Sequence, residues 1–492
     1  MNLFEPIQRI ALRRPSHPAI VSLDLVMTYA NLASLTGRLA GALHERGVRA
    51  GDVVAVYTQG LVPHVPLTLA IARIGAVSLP LAATGQLWRP GTASRINVKF
   101  LVHGGEGASA FGFDGLQGDF SLEELSRSRA DAPPVLDLPG DALWRIALSS
   151  GTTGRPKPIP CTVESQLIKG ALFRALVASA PDERMLIGMG PAVMFAANFW
   201  LRALFAGRTV VGSEISPAGI LDTIHRHHVT HLVTSPGNAI ALMGAAKRSG
   251  AAMLKPAASM RAVVLGGSPV SPAQIEQLKQ HVAPNVFVVY GATEVGVVAM
   301  SDAVTQEIDP SSAGAIPPWV EVQTLADDGS VLPVGTPGRL RVRAPGMSRG
   351  YMLPQGEPAA GAFKDGWFHP SDIGCVTPEG TIRLSGRDDD VINLSGTKVD
   401  PARVEAVLAQ DDAVVDCAVF ALLAPDGRPQ LAAAVVLSRP MEGAALRDRC
   451  LREIGAPGTP QIVFVVSSLP RNEAGKLVRN QLADCVADAQ RI

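Results

Sequence analysis

Short apolar runs alternate with a helical pattern in the first part of the chain, and few folds accommodate that order. Asp52–Tyr57 is typical of a buried strand, Leu67–Ile74 of a helix and Val77–Leu81 of a second strand. A strand, a helix and a strand in succession form a β-α-β unit, which requires a parallel sheet with helices on its faces. Similar runs recur further along, at Arg261–Leu265 and Val286–Tyr290. We therefore predict an α/β fold of parallel-rich sheets with covering helices, in which ligands bind at the carboxyl ends of the strands.

The pattern changes after about Ala326, where glycine- and proline-bearing turns separate short runs and predict a β-rich subdomain. A charged segment, Gly386–Asp390, then suits a linker. We place a domain boundary there, at Asp389. The chain is thus predicted to divide into a large N-terminal domain and a small α+β C-terminal domain, residues 1–388 and 389–492.

The segment beyond this linker has the pattern of a compact module. Asp400 and Pro401 are typical of the N-cap and the first position of a helix. Strands are predicted on both sides of Pro425–Gly427, and a third at Ile462–Val466. No internal repeat is visible.

Composition limits the partners and the compartment. The chain has 492 residues, too many for one ordinary core, and 44 basic residues balance 44 acidic ones. No net field therefore draws it to nucleic acid or to an anionic membrane. The apolar region Leu61–Ala83 contains His64, Arg73 and three prolines, which argues against a membrane span. The beginning of the chain lacks an apolar stretch of signal-peptide type. The cysteines lack pairing or Cys-x-x-Cys spacing, so we expect a cytoplasmic protein without a disulfide frame: Cys161, Cys375, Cys417, Cys450 and Cys485.

A polar, glycine-bearing turn is the most specific stretch. Its hydroxyls and backbone amides can surround a polyphosphate, and Lys157 adds a cation. The spacing does not match the P-loop of nucleoside triphosphatases. The candidate phosphate-binding residues of this turn are Ser149, Ser150, Gly151, Thr152, Thr153, Gly154 and Lys157.

Together with four later motifs, this turn resembles the adenylate-forming superfamily, which includes acyl-CoA synthetases, nonribosomal peptide adenylation domains and firefly luciferase. The resemblance covers nearly the whole chain. It implies a large N-terminal domain, a small mobile C-terminal domain, and use of ATP and Mg²⁺ to convert a carboxylic acid into an acyl-AMP. The later motifs, in order, are Tyr290–Glu294, Gly366–Gly374, Gly386–Asp389 and Leu469–Lys476.

The resemblance assigns most of the nucleotide site. Thr293 is expected to hydrogen-bond the α-phosphate, and Glu294 to hold Mg²⁺, a hard cation that prefers oxygen ligands. Asp372 is expected to accept hydrogen bonds from both ribose hydroxyls, and Arg387 to contact the ribose or the phosphate. This chain has His369-Pro370-Ser371-Asp372 where relatives often have Arg-Thr-Gly-Asp, which leaves the conformation of that loop open. The adenine is expected to lie against Tyr290, Gly291 and Ala292, with Gly267 in another wall of the pocket.

Three more residues receive roles that depend on movement. Lys476 is expected to reach both the incoming carboxylate and the α-phosphate and to reduce their repulsion. In the family, the C-terminal domain then rotates about a hinge, here Asp389. Rotation is expected to bring Gly396 beside a tunnel for the thiol arm, where a side chain would block the passage.

The acid itself is less well defined. Gly190–Trp200 replaces the aromatic or histidine residue of many relatives with Ala, Val and Met, which indicates an apolar fatty or aryl acid. Asn198 could contact a polar substituent. His225, His227, His228 and His231 straddle a predicted helix end and strand start, so we do not expect them to converge on a metal.

Three functions stay open from the sequence. The leading one is acid–thiol ligation with coenzyme A as the acceptor. The second is loading of the phosphopantetheine arm of an acyl carrier protein, which would use the same tunnel. The third is a nucleotide-binding homologue without turnover, against which the intact site residues argue.

Overall fold

The computed structural model describes the chain except residues 24, 82–95, 106, 108–110, 112, 114, 150–156, 178–179, 249–256, 353–360, 389, 395–396, 425–427, 473–474 and 488. The side chains of residues 149, 246–248 and 393 are also outside the description.

A six-stranded sheet forms one layer of the N-terminal part. All neighbouring strands are parallel except β7 and β8. In spatial order they are β6 (Gly118–Ser121), β5 (Val98–His103), β3 (Val53–Tyr57), β4 (Val77–Pro80), β7 (Leu143–Ser149) and β8 (Lys157–Thr162). The helices packed with it are α2 (Tyr29–Glu45), α3 (Leu61–Arg73) and α4 (Leu122–Ser126).

The predicted β-α-β unit is confirmed as β3, α3 and β4. Its helix begins at Leu61, earlier than predicted, and its first half includes Pro63 and Pro66. Proline usually marks an interruption, which obscured this start in the sequence.

A second, larger sheet has a parallel centre. Its first seven strands in spatial order are β2 (Leu25–Thr28), β1 (Pro18–Ser22), β10 (Thr209–Gly212), β9 (Arg184–Ile187), β11 (His231–Thr234), β12 (Ala262–Gly266) and β13 (Asn285–Ala292). The helices of this part are α1 (Glu5–Arg13), α5 (Val163–Leu176), α6 (Met194–Phe205), α7 (Pro217–Arg226), α8 (Pro236–Arg248) and α9 (Pro272–His281).

The β-rich subdomain continues this sheet in antiparallel fashion. It therefore shares hydrogen bonds with the main sheet instead of standing apart from it. Its elements are β14 (Gly296–Ser301), α10 (Ala303–Ile308), β15 (Gly314–Ala315), β16 (Glu321–Leu325), β17 (Gly338–Arg343), β18 (Phe363–Lys364), β19 (Trp367–Phe368), β20 (Asp372–Val376) and β21 (Thr381–Arg387).

The largest core cluster lies between the two sheets. Trp144 of β7 and Trp200 of α6 are almost fully buried in it, together with Met185 of β9. Helix α5 contacts β8 of one sheet and β14 of the other, and α6 contacts β9 and β10. Helices α5 and α6 thus form the layer that joins the sheets.

The C-terminal module follows its prediction closely. Asp400 caps the first helix by accepting a hydrogen bond from the Ala402 amide. The remaining elements are β22 (Ile392–Leu394), β23 (Thr397–Val399), α11 (Pro401–Leu408), β24 (Val414–Leu423), β25 (Pro429–Leu437), α12 (Gly443–Ile454), β26 (Ile462–Val465), α13 (Leu482–Cys485) and β27 (Gln490–Arg491). Strands β24 to β27 form a four-stranded sheet. The module is α+β, as predicted. Within the described parts of the chain, every helix is too short or too polar to cross a membrane.

Candidate functional site

The first part of the candidate site is a polar cluster where β13 meets the subdomain. Tyr290, near the end of β13, donates its hydroxyl hydrogen to Oδ2 of Asp372 at 2.6 Å. Arg387, which faces Asp372 across the β20–β21 pair, donates to Oδ1 at 3.1 Å and to the Pro370 carbonyl at 3.1 Å. Burial, helped by Asp372, raises the pKa of the Tyr290 hydroxyl well above its usual value, so the hydroxyl remains a donor.

This cluster leaves Asp372 suited to a ribose. The residue is only 8% exposed. An ionised carboxylate only accepts hydrogen bonds, which suits the two hydroxyl donors of a ribose. Ser371 adopts the left-handed backbone conformation, with φ at 65°. The family pattern has glycine there, so the loop keeps this conformation at an estimated cost of about 1–2 kcal/mol.

The second part is the turn that contains Thr293 and Glu294. Lys169 of α5 donates to the Thr293 carbonyl at 3.1 Å. The Ser348 amide donates to the Glu294 carbonyl at 2.7 Å, and the Tyr351 hydroxyl donates to Glu294 Oε1 at 2.8 Å. The turn is therefore held from three directions before any ligand binds.

The charges around this turn are partly buried. Burial lowers the pKa of Lys169, while Cys161 and Glu294 oppose that shift. Burial also raises the pKa of the Tyr351 hydroxyl, with the Glu294 carboxylate adding to the shift, so Tyr351 stays a donor. Glu294 Oε2 has no hydrogen-bond partner among the described residues. The carboxylate thus keeps oxygen free for a hard cation such as Mg²⁺.

Gly291 has a close neighbour within the protein. A Cβ at this position would overlap the carbonyl of Gly296, across the hairpin of β13 and β14. The close approach that requires glycine is therefore within the protein, and it shapes the strand end that carries Tyr290 and Thr293. Ala292 ends β13 and is half-buried.

The candidate phosphate-binding turn joins β7 to β8, and its ends are adjacent because Ser149 pairs with Lys157 in the sheet. The Lys157 ammonium lies 5.5 Å from the centre of the Tyr351 ring, a cation–π distance. Lys157 is thereby placed next to the Glu294 side of the site. The other candidates in this loop, Ser150, Gly151, Thr152, Thr153 and Gly154, lie outside the described residues.

Gly267 follows β12 with φ at 102°, a left-handed conformation that favours glycine, and it is exposed. Its neighbour Gly266 is close to the Phe195 ring of α6, since a Cβ there would lie 2.7 Å from it. The wall predicted for the nucleotide pocket is thus in contact with the wall predicted for the acid.

The C-terminal module delivers Lys476 to the same place. Burial is the main cause that lowers the pKa of its ammonium group, and Arg387 adds to this, whereas Glu294 and Asp372 oppose it. The side chain is exposed along much of its length, and the protein around its ammonium group lowers the pKa. Lys476 is therefore close enough to Arg387, Glu294 and Asp372 for their charges to affect its pKa.

A tight contact docks the loop before Lys476. Gly475 has φ at 73°, and a Cβ there would overlap the side chain of Ser235. Ser235 is fully buried and accepts a hydrogen bond from the Asn238 amide at the start of α8. Arg471 donates to the Gly475 carbonyl at 3.0 Å and lies against Gly237. The loop therefore fits onto the first turn of α8 with no space for a larger residue.

The hinge and tunnel residues, Asp389 and Gly396, lie outside the described residues, and their roles stay predictions. The residues beside them are placed. Asp388 donates its amide hydrogen to the Ser371 carbonyl at 2.9 Å. Leu394 pairs with Thr397 in the β22–β23 hairpin.

Sequence reasoning missed Lys169, Tyr351 and Ser235. Lys169 lies on a helix and Tyr351 in an irregular segment, and neither has a local pattern that marks it. Only the fold brings them to Glu294. Among the histidines, His225 is in α7 and His231 begins β11, as predicted, while His228 between them has φ at 47°.

Comparisons with known proteins agree with the motifs. The family model described as AMP-binding enzyme matches residues 7–352, and that described as AMP-binding enzyme C-terminal domain matches residues 403–476. The chain is 26% identical to the 2-succinylbenzoate–CoA ligase of Bacillus subtilis (strain 168), over 96% of this chain and 95% of that protein. It is 28% identical to the 4-chlorobenzoate–CoA ligase of Arthrobacter sp, over 98% of this chain and 94% of that protein. The crystal structure of the anthranilate CoA ligase AuaEII in complex with anthranoyl-AMP superposes with a TM-score of 0.85 at 20% identity, covering 99% and 97% of the two chains. At that identity the structural likeness concerns the fold alone.

Proposed function

Because the chain belongs to the AMP-binding enzyme family, we propose that it uses ATP to join an apolar carboxylic acid to the thiol of coenzyme A. The observation that carries this proposal is that Gly475, next to Lys476 in the C-terminal module, packs against Ser235, and that Lys476 is close enough to Glu294 and Asp372 for their charges to affect its pKa. The names of the two ligase relatives support coenzyme A as the acceptor.

In the first step, a carboxylate oxygen forms a bond to the α-phosphorus of ATP while the bond from that phosphorus to pyrophosphate breaks. The products are an acyl-AMP and pyrophosphate. The barrier is largely the approach of two anions, so positive charge and oriented donors matter more than a base. Lys476 supplies a charge from one side, and Thr293 supplies a hydroxyl donor to the α-phosphate from the other.

Mg²⁺ fits the donors present, because Glu294 offers carboxylate oxygen and Tyr351 orients it. When bound, the cation would reduce the charge on the phosphate oxygens. Asp372 and Tyr290 would hold the ribose and the adenine, and Lys157 would contact the leaving phosphates.

In the second step, the thiol sulfur forms a bond to the acyl carbon while the bond from that carbon to the AMP oxygen breaks. The thiol proton passes to water. We propose that the C-terminal module, 389–492, first rotates about Asp389, which withdraws Lys476 and presents Gly396 to the thiol arm. The glycine would leave the passage open.

The acceptor is tested by the mass of the product. Purified protein is incubated with ATP, Mg²⁺ and a panel of fatty and aryl acids, and acid-dependent pyrophosphate release identifies the substrate. That acid is then offered with free coenzyme A or with a holo acyl carrier protein. An acyl-CoA product supports the proposal, and acylation of the carrier alone replaces it with the carrier-loading function. Failure of a broad panel to release pyrophosphate favours a homologue without turnover.

The cytoplasm is the proposed location, because all cysteine thiols of the chain are free in the structure.

A further inference from the structure

A polar pair lies in the apolar layer between the two sheets. Gln166 of α5 donates from Nε2 to Oδ1 of Asn198 on α6 at 3.0 Å. Gln166 is 3% exposed, whereas Asn198 keeps partial exposure. The surrounding side chains are largely aromatic, since Phe199 packs edge-on against both Phe195 and Phe173.

The flanking residues connect this pair to the candidate nucleotide site. Phe195 lies on the same side of α6 as Asn198, almost one helical turn earlier, and its ring abuts Gly266 of the nucleotide wall. Lys169 lies on the same side of α5 as Gln166 and donates to the Thr293 carbonyl. Both helices therefore connect Asn198 to a segment that is proposed to surround the α-phosphate. An acid whose carboxylate reacts there would extend its other end toward Asn198.

The hydrogen bond from Gln166 determines which group Asn198 presents. Because Oδ1 already accepts from Gln166, Nδ2 is the group that Asn198 has left to offer a ligand. Within the described part of the chain, Nδ2 has no hydrogen-bond partner, and it is not sealed from solvent. An amide N–H in apolar surroundings is costly to leave unpaired once a ligand excludes water. The pair thus favours a ligand that brings an acceptor.

We propose that Asn198 is a specificity-determining residue, and that the preferred acid carries a hydrogen-bond acceptor such as a carbonyl oxygen on its distal part. Gln166 is the positioning residue that keeps the donor side of Asn198 toward the acid. This inference rests on the proposed function, and it narrows the expected substrate from any apolar acid to an acceptor-bearing one. The bond between the two residues could also serve only to join α5 to α6, in which case acid preference would not depend on it.

Matched acids separate these two roles. We would measure kcat/KM for pyrophosphate release with 4-acetylbenzoate and 4-isopropylbenzoate, whose substituents are similar in size, the planar acetyl group having a carbonyl oxygen where the isopropyl group has a methyl group. A series of oxooctanoates, compared with octanoate, places the carbonyl oxygen at different distances from the carboxylate. In at least one series, the acceptor-bearing acid should be preferred by about tenfold or more, as expected for an N–H otherwise left unpaired.

Variants connect the preference to the pair. Asn198→Leu should remove the preference by lowering the rate for the acceptor-bearing acid more than for its partner, and Gln166→Leu should weaken it. Asn198→Asp keeps the shape but offers only acceptors, so it should turn the preference toward 4-(aminomethyl)benzoate, even if the leucine variant does not fold. Asn285→Ala is the matched control, because Asn285 is exposed and donates only to the Arg261 carbonyl at 2.9 Å. It should leave every ratio unchanged.

Two results would overturn the inference in different ways. If alkyl and keto acids release pyrophosphate equally well, and the Asn198 variants change both rates by the same factor, the pair only joins the helices and the proposed function still stands. If no acid of either series, nor of a broad panel, releases pyrophosphate, the proposed function fails and the specificity role fails with it.

Discussion

The docking of Gly475 on Ser235 leads to a strong prediction for the variant Gly475→Ala. The added methyl group would overlap both the Cβ and the Oγ of Ser235. Ser235 cannot move aside, because it is fully buried and accepts a hydrogen bond from the first turn of α8 at 3.2 Å. The loop that carries Lys476 must therefore move away from the site.

The size of the effect follows from that displacement. To relieve the overlap, the loop must retreat by roughly 1 Å, and a misplacement of that size can reduce the rate by ~100-fold. This corresponds to about 2.7 kcal/mol in the barrier. Alanine at a φ of 73° adds a strain of roughly 1–2 kcal/mol, which acts on the loop whether or not it is docked. We therefore expect acyl-AMP formation to fall by at least about 100-fold, while thioester formation from supplied acyl-AMP changes little.

Second-site variants at Ser235 make the reasoning testable. Gly475→Ala combined with Ser235→Gly removes both overlapping atoms, and glycine at a helix N-cap costs only a few tenths of a kcal/mol. This double variant should form acyl-AMP at a rate within about tenfold of the original one, and the remaining loss reflects the backbone strain at position 475. Gly475→Ala combined with Ser235→Ala keeps the overlapping Cβ at position 235, so its rate of acyl-AMP formation should not recover. Pyrophosphate exchange and product mass measure the two steps separately. Equal loss of rate in both steps would refute the proposed contact between Gly475 and Ser235. So would recovery of acyl-AMP formation in both double variants, or in neither of them.

Other variants test the site itself. Lys476→Ala should lower acyl-AMP formation by about 10²–10³-fold but spare the thioester step with supplied acyl-AMP, whereas equal losses would contradict its assignment. Gly396→Leu should have the opposite pattern, and normal thioester output would remove the tunnel. Lys169→Met should raise the KM for MgATP by about tenfold or more because the Thr293 carbonyl loses a charged donor, while Lys169→Arg keeps one; equal kinetics of the two variants would refute this. Asp372→Asn should weaken ATP binding, measured by calorimetry, more than Tyr290→Phe does, since only the former replaces an acceptor-only carboxylate.

Much of the fold could be predicted because its signals are local. The strand at Val53–Tyr57 is a short apolar run, and the helix at Pro401–Leu408 begins with a capping aspartate and a proline, features that depend on neighbours in the sequence. The order of the motifs predicted the adenylate-forming family, and the match of the AMP-binding enzyme model confirms it. The α/β class with a small C-terminal α+β module is confirmed as well. The boundary at Asp389 stays a prediction.

The supports of the site could not be predicted, because they depend on contacts between distant segments. Tyr351 and Lys169 approach Glu294 only when α5, β14 and the subdomain have assembled. The need for glycine at position 475 is similar, since the residue it must fit against is Ser235. From the sequence alone, Gly475 would be an ordinary turn glycine and Lys476 an ordinary surface lysine. In the structure, both lie where the C-terminal module meets the rest of the chain.

The charges of the site explain why closure and substrate binding should favour each other. Lys476 lies close enough to Arg387 for that guanidinium to lower its pKa, which means that the two cations repel in the closed arrangement. Glu294 and Asp372 offset part of this repulsion, but Asp372 already accepts hydrogen bonds from Arg387 and Tyr290. In the proposed reaction, a carboxylate and a triphosphate would bring negative charge between the cations. The substrates should therefore stabilise the arrangement that reacts, and departure of pyrophosphate should weaken it. The same electrostatics that lower the barrier of the first step would thus free the C-terminal module for the second.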